Sequence, residues 1–100
     1  MPPEKDEQQT VAALIDRAQA LMEIGRWLEA LTPLRQALVI EPENGEARCR
    51  ISFVWFQLGD FEQALAYADS VVQNEPMNEW GHRLRGRALL RLSRKSEALA

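Results

Sequence analysis

Apolar residues recur along this chain every three or four positions, which is the spacing of amphipathic helices. The clearest example is a pair of segments on either side of Gly59. In the first segment, the apolar residues at helical spacing are Ala47, Ile51, Val54, Trp55 and Leu58. In the second, they are Phe61, Ala64, Leu65, Ala68, Val71 and Val72. Gly59 can end a helix in a left-handed conformation, and Asp60 with Gln63 has the sequence of a capping box. The pattern therefore predicts two helices joined by a tight turn.

The two-helix pattern repeats with a constant period. Residues 23–42 align with residues 57–76 without a gap, at a separation of 34 positions. The matching pairs include Gly25 and Gly59, Trp27 and Phe61, Ala30 and Ala64, Glu41 and Glu75, and Pro42 and Pro76. A third copy begins, with Ser93 in the place of Gly59 and Ala98 in the place of Ala64. A constant period in this range predicts stacked supersecondary units.

These positions resemble the signature of the tetratricopeptide repeat (TPR) family over residues 11–100. The family's small residue in the first helix falls at Ala18, Ser52 and Gly86, and its turn glycine falls at Gly25 and Gly59. Its aromatic residue falls at Trp27 and Phe61, its alanine at Ala30, Ala64 and Ala98, and its proline at Pro42 and Pro76. The resemblance implies an all-α, right-handed α-solenoid of helix-turn-helix TPR units. Small residues at the helix contacts would let the two backbones of a unit approach closely.

The predicted organisation is two full repeats, 11–44 and 45–78, followed by a partial repeat, 79–100. Residues 1–10 are predicted to be a flexible charged N-terminal segment. The second helix of the third unit would begin near Lys95, which leaves it barely two turns before Ala100. An apolar face would then remain uncovered at Leu84, Ala88, Leu89 and Leu92. This indicates either a piece of a longer repeat array or self-association through the uncapped C-terminal end.

Charge and chemistry narrow the classes of function. Residues 1–44 carry eight acidic and four basic residues, residues 45–78 five and two, and residues 79–100 two and six, so the C-terminal unit is the basic one. The single cysteine, Cys49, excludes an internal disulfide and favours a reducing compartment. Without a signal peptide or an apolar run long enough for a membrane segment, a cytoplasmic location is expected.

No catalytic signature stands out in the sequence. There is no glycine-rich phosphate loop, no nucleophile elbow and no metal-ligand spacing around the single histidine, His82. We therefore expect neither an enzyme nor a cofactor, and no small-molecule substrate.

The resemblance also implies that the first helix of each unit lines a concave groove, which binds an extended peptide or a helix of a partner. The candidate partner-binding residues of this groove are Gln19, Cys49, Arg50, Phe53, Phe56, Trp80, Arg83, Arg87 and Arg91. Arg83, Arg87 and Arg91 are spaced four apart, so they form a stripe suited to binding carboxylates. The aromatic residues could anchor apolar groups. The alternative is that the arginines are a solvated face, the aromatics are core residues and Cys49 is a small apolar filler.

The leading hypothesis is a protein-protein interaction scaffold whose groove binds an acidic and partly apolar segment. One alternative is a structural module that oligomerises or carries an effector domain beyond Ala100. Nucleic-acid binding through the basic C-terminal repeat is a further alternative, against which the overall acidic charge argues. Some TPR proteins hold a C-terminal carboxylate in a clamp of lysine, asparagine and arginine. The corresponding positions here are Ile15, Gln19, Arg50, Trp80 and Leu84. That mode of binding is therefore disfavoured.

Overall fold

The chain forms five α-helices in a computed structural model that describes the backbone of residues 3–99 and the side chains of residues 10–97. The helices are α1 (Pro3–Glu23), α2 (Trp27–Ile40), α3 (Gly45–Leu58), α4 (Phe61–Asn74) and α5 (Glu79–Leu99). No strand occurs within these residues. The all-α class and the helix-turn-helix units of the sequence analysis are confirmed. No helix in the described part of the chain is both long and apolar enough to span a membrane.

The turns and caps follow from the residues at the helix ends. Gly25 and Gly59 have φ angles of 77° and 87°, a conformation that glycine adopts without steric cost. The Asp60 carboxylate accepts a hydrogen bond of 3.1 Å from the backbone N–H of Gln63 and caps α4. Asn44 accepts one of 2.8 Å from the Ala47 amide at the start of α3. The predicted turn glycines and the predicted N-cap at Asp60 are therefore confirmed.

The helices stack in sequence order, and each packs on the next along the chain. In addition, α3 contacts α5 directly, so the first helices of the second and third units lie side by side. The largest side chains that are almost fully buried include Leu31, Leu34, Ile51, Val54 and Val71. The molecule is elongated, with extents of 58 × 30 × 18 Å. This arrangement leaves one surface, formed by α1, α3 and α5, free to carry a groove.

Small residues form the contact between the two helices of each full unit. Ala18 and Ala30 are fully buried in the first unit, and Ser52 is fully buried in the second unit with Ala64. The Ser52 hydroxyl donates a hydrogen bond of 2.7 Å to the Ala64 carbonyl oxygen, so the one polar group at this contact is satisfied. The close helix approach expected from the small residues is confirmed for these two units.

The third unit departs from the prediction. α5 continues as one helix from Glu79 to Leu99, and the predicted turn before Lys95 does not form. The reason is local: Ser93 stands where the other units have a turn glycine, and residues 87–99 contain neither glycine nor proline. No second helix packs against Gly86, and no described atom outside its own helix lies within 4 Å of where a Cβ would stand. Ala98 lies outside the residues whose side chains are described.

Two further expectations change at the ends of the chain. Leu84 and Ala88 are buried, whereas Leu89 is 40% exposed, so the apolar face of α5 is only partly uncovered. Leu84 packs with Ala68 and Val71 of α4. At the other end, α1 begins at Pro3 rather than at Val11 and includes residues that the sequence analysis assigns to a flexible segment. The exact repeat boundaries remain predictions.

The substitution Ala64→Leu tests the close contact of α3 and α4. Because Ala64 is 1% exposed and packs beside Ser52, three additional carbon atoms have no space there. We expect the free energy of unfolding, measured in urea, to fall by about 1 to 3 kcal/mol. Ala66→Leu, at an exposed position of the same helix, is the matched control and should change stability by about 0.5 kcal/mol or less. Equal effects of the two substitutions would contradict this account.

Candidate functional site

The groove contains an apolar concavity between α1, α3 and α5, which we call the aromatic pocket. Its volume is about 390 Å³, and its lining residues are Gln19, Met22, Glu23, Trp27, Arg50, Phe53 and Trp80. Trp27 and Phe53 meet edge to face, with ring centroids 5.7 Å apart. Both rings are half-buried, so they present apolar surface to the groove while they pack on the core. Such a pocket can hold an apolar side chain.

Arg50 lies at the centre of the aromatic pocket and is held from three sides. Its guanidinium donates hydrogen bonds to the Gln19 side-chain oxygen and, at 3.1 Å, to the Glu46 carboxylate. It also lies over the Trp80 ring, 5.7 Å from the ring centroid. Gln19 in turn donates a hydrogen bond of 3.0 Å to Glu23. The charge of Arg50 is therefore balanced by a carboxylate, and the pocket carries no unopposed positive charge.

A second concavity lies further along α5, and we call its residues the arginine cluster. It has a volume of about 180 Å³, and its lining residues are Phe56, Arg87, Leu90, Arg91 and Arg94. The Arg91 guanidinium lies 5.2 Å from the Phe56 ring centroid and 5.8 Å from that of Phe61. Arg87 lies 5.9 Å from the Phe56 ring centroid. These cation–π contacts restrain the two guanidinium groups beside the rings.

Among the described side chains, none gives the arginine cluster the compensating negative charge that Glu46 gives Arg50. The ion pairs among the described side chains involve Arg26, Arg48, Arg50 and Arg85. No described carboxylate pairs with Arg87, Arg91 or Arg94, and all three side chains are exposed. Arginine presents several N–H donors in a fixed plane that matches a carboxylate. The cluster can therefore accept an anionic group from another molecule.

A family model identifies the type of domain. The model described as the bacterial transcriptional activator domain (BTAD) matches residues 45–100. The chain belongs to this family. Among solved structures, the second TPR of Spaghetti (RPAP3) bound to HSP90 peptide SRMEEVD is similar, with a TM-score of 0.81 and 14% sequence identity. The similarity covers 94% of this chain and 89% of that chain, which confirms the TPR fold. No curated protein sequence matches the chain.

Most of the predicted partner-binding residues of this BTAD-family chain lie in two groups. Gln19, Arg50, Phe53 and Trp80 line the aromatic pocket. Phe56, Arg87 and Arg91 lie in the arginine cluster. Arg83 is exposed but lines neither concavity, so the predicted arginine stripe is divided. Whether any of these residues binds a partner remains a prediction.

Cys49 lies in the core of the BTAD-family fold and not on the groove surface. It is fully buried among Ala68, Val71 and Leu84, because α5 covers the side of α3 on which it stands. Burial, with the nearby negative charge of Glu75, raises the pKa of the Cys49 thiol to about 11. The assignment of Cys49 as a groove residue is therefore wrong, and the alternative of a small apolar filler is correct.

Five lining residues of the two concavities are absent from the predicted partner-binding residues: Met22, Glu23, Trp27, Leu90 and Arg94. Trp27 enters the sequence analysis only as the aromatic residue of the repeat signature, but its partly buried side chain also lines the aromatic pocket. Glu23 also borders that pocket, and no sequence signal distinguished it from other acidic residues. Arg94 follows Arg91 by three positions and lies on the same helical face, so an extension of the arginine stripe by one turn would have included it.

Alkylation of Cys49 tests its burial. A pKa of about 11 instead of 9.0 lowers the thiolate fraction at pH 8 by about 100-fold, and burial also blocks access. We expect reaction with iodoacetamide, followed by mass spectrometry, to be at least about 100-fold slower in the native protein than in guanidinium chloride. Similar rates in the two conditions would show that the thiol is accessible.

The raised pKa also predicts a dependence of stability on pH. As the pH rises above 9.0, the unfolded thiol loses its proton, whereas the folded thiol retains its proton up to about pH 11. The folded state therefore binds more protons in this interval, and the contribution of Cys49 to stability falls between these two pH values. We expect the free energy of unfolding to fall less steeply with pH in Cys49→Ala than in the wild type. Parallel pH profiles of the two proteins would refute this.

Proposed function

We propose that this chain is a protein-protein interaction module whose groove binds an acidic and partly apolar segment of a partner protein. One observation carries the proposal: an apolar pocket and a group of exposed arginines without described carboxylate partners lie in the same groove. Protein interfaces commonly combine aromatic and arginine side chains in this way.

The aromatic pocket supports the apolar part of the proposed ligand. Trp27, Phe53 and Trp80 bury large apolar area at a small cost in side-chain entropy, which makes them effective anchors. Arg50 is held by hydrogen bonds with Gln19 and Glu46, so the pocket is organised before a ligand arrives. Pre-organisation reduces the entropy lost on binding.

The arginine cluster supports the acidic part. The Arg87 and Arg91 guanidinium groups lie 5.9 and 5.2 Å from the Phe56 ring centroid, and no described carboxylate pairs with either, so their N–H groups can form hydrogen bonds with the carboxylates of a ligand. Neighbouring arginines without counter-ions repel one another, and an acidic ligand would relieve this repulsion. The ligand would therefore gain affinity both from its own contacts and from the loss of repulsion.

The known relatives are consistent with the proposal. The structurally similar TPR of RPAP3 is bound to the peptide SRMEEVD, which contains acidic residues beside methionine and valine. A clamp on a terminal carboxylate is not proposed for this chain, because Ile15 and Leu84, at two of the clamp positions, are buried. The family description, bacterial transcriptional activator domain, favours a partner that belongs to the transcription apparatus or to the same regulator. We further propose a cytoplasmic location, as the lone cysteine suggests.

Self-association through α5 is a second candidate function. Leu89 and Leu90 are 40% and 51% exposed, and no described helix packs on Gly86 of the same helix. Copies of the chain could cover this face, although the positive charge of α5 opposes direct contact of two such helices. Light scattering over a range of protein concentrations distinguishes the two candidates, since only self-association raises the mass.

Charge reversal tests the leading proposal. Peptides of about ten residues, which extend over roughly 33 Å, are selected from a random library on the wild-type protein. We expect the selected sequences to be rich in Asp or Glu together with large apolar residues. The double variant Arg87→Glu, Arg91→Glu should weaken their binding by about tenfold or more because it replaces attraction with repulsion. Circular dichroism should show unchanged helicity.

The matched control is the double variant Arg17→Glu, Arg35→Glu. It changes the net charge by the same amount, at exposed positions that line neither concavity. Wild-type affinity is expected for this control. Selection of basic peptides, or equal losses in the two variants, would count against binding of an acidic segment in the groove.

A further inference from the structure

We infer that the groove selects ligands by the spacing between an apolar side chain and an acidic pair, with about three to five residues from one to the other. The apolar side chain enters the aromatic pocket, and the acidic residues contact Arg87 and Arg91. This inference rests on the proposed function and specifies the ligand further. It gives the groove a defined order of apolar and acidic subsites.

The spacing follows from the position of the two subsites along α5. Trp80 lines the aromatic pocket, whereas Arg87 and Arg91 line the arginine cluster. At a rise of about 1.5 Å per residue, these arginines lie about 10 to 17 Å further along the helix axis than Trp80. An extended peptide advances about 3.3 Å per residue, so it needs about three to five residues to cover this distance.

The two subsites belong to one continuous surface. On α3, Phe53 borders the aromatic pocket and Phe56 borders the arginine cluster, only one helical turn apart. On α5, Trp80 and Arg87 are two turns apart and lie on the same face of the helix. One extended segment can therefore contact both subsites without a bend.

The charges around the groove determine which of the two subsites binds the acidic residues of the ligand. Glu23 borders the aromatic pocket, and Glu46 pairs with Arg50 beside it, so a carboxylate placed there meets like charge. The arginine cluster has no described carboxylate partner and presents Arg87, Arg91 and Arg94. A ligand with its acidic residues over the aromatic pocket would be repelled there and would forgo the attraction of the arginine cluster. The order of the two subsites is thus specified by repulsion as well as by attraction.

Synthetic peptides test the inference directly. Three fluorescein-labelled peptides with a Gly-Ser backbone each carry one leucine and one Glu-Glu pair. In the first peptide the leucine is adjacent to the pair, in the second it lies at the inferred separation, and in the third it lies at twice that separation. Each arrangement is made in both chain directions, because the side chains of the groove do not define the direction of the ligand. We expect the inferred separation to bind on the order of tenfold more tightly than the other two, in at least one direction, as measured by fluorescence anisotropy.

Two variants test whether both subsites are needed for the preference for the inferred separation. Arg87→Glu with Arg91→Glu and, separately, Trp80→Ala should each remove the preference for the inferred separation, because each removes one of the two subsites. Arg17→Glu with Arg35→Glu should retain it. Circular dichroism of all the proteins verifies that they are folded.

The possible outcomes separate this inference from the proposed function. If all separations bind equally and Arg87→Glu with Arg91→Glu still weakens them, the spacing rule is overturned and the acidic-segment function stands. If the peptides in which leucine is adjacent to the Glu-Glu pair bind best, the spacing rule is likewise overturned. If neither the synthetic peptides nor the random library yields a ligand for the wild-type protein, both the rule and the proposed function fail.

Discussion

The contact between Ser52 on α3 and Ala64 on α4 determines how closely the two helices of the second unit approach. Neither side chain has more than two heavy atoms, and the Ser52 hydroxyl finds its hydrogen-bond acceptor on the opposite helix. At this separation, larger residues on both sides of the contact, such as Val54 and Val71, reach the core. The packing of the two helices of the second unit therefore depends on a contact between two of its smallest residues.

The groove is a consequence of helix stacking. Because the first helices of the second and third units lie side by side, α5 covers one side of α3 and buries Cys49 there. The next positions on the groove surface of α3 are Phe53 and Phe56, which remain partly exposed and border one concavity each. The packing that removes a thiol from the surface thus also presents two rings beside the arginines of α5.

The helical repeat could be predicted from the sequence because its signals are local. Gly59, Asp60 and Asn44 act through their own backbone or through an amide three residues away, so their effect does not depend on distant parts of the chain. The repeat pattern predicts a turn near Ser93, whereas α5 continues through this residue to Leu99. A serine does not end a helix unless neighbouring structure favours a turn, and no described atom of another helix lies within 4 Å of where a Cβ of Gly86 would stand, the position against which a second helix would pack.

The candidate site was harder to predict because it depends on contacts between helices. Helical spacing identified Phe56, Arg87 and Arg91 as members of one surface but could not show which aromatic ring each guanidinium would contact. The same spacing placed Cys49 on that surface, because position on a helix face does not reveal how far a neighbouring helix covers it. Arg50 shows the same limit: its i,i+4 spacing makes the pairing with Glu46 predictable, whereas its contacts with Gln19 of α1 and Trp80 of α5 are visible only in the structure.

The two subsites of the groove differ in their relation to the matched family region. All residues of the arginine cluster lie within residues 45–100, which the BTAD model matches, whereas Gln19, Met22 and Trp27 of the aromatic pocket precede it. The match includes α3, α4 and α5, so this region can carry the basic subsite, but one wall of the apolar pocket comes from the first unit. The proposed binding of an acidic group would then need only residues of the matched region. The proposed apolar specificity would require the first unit to be stacked on α3, because Met22 and Trp27 line the pocket together with Phe53.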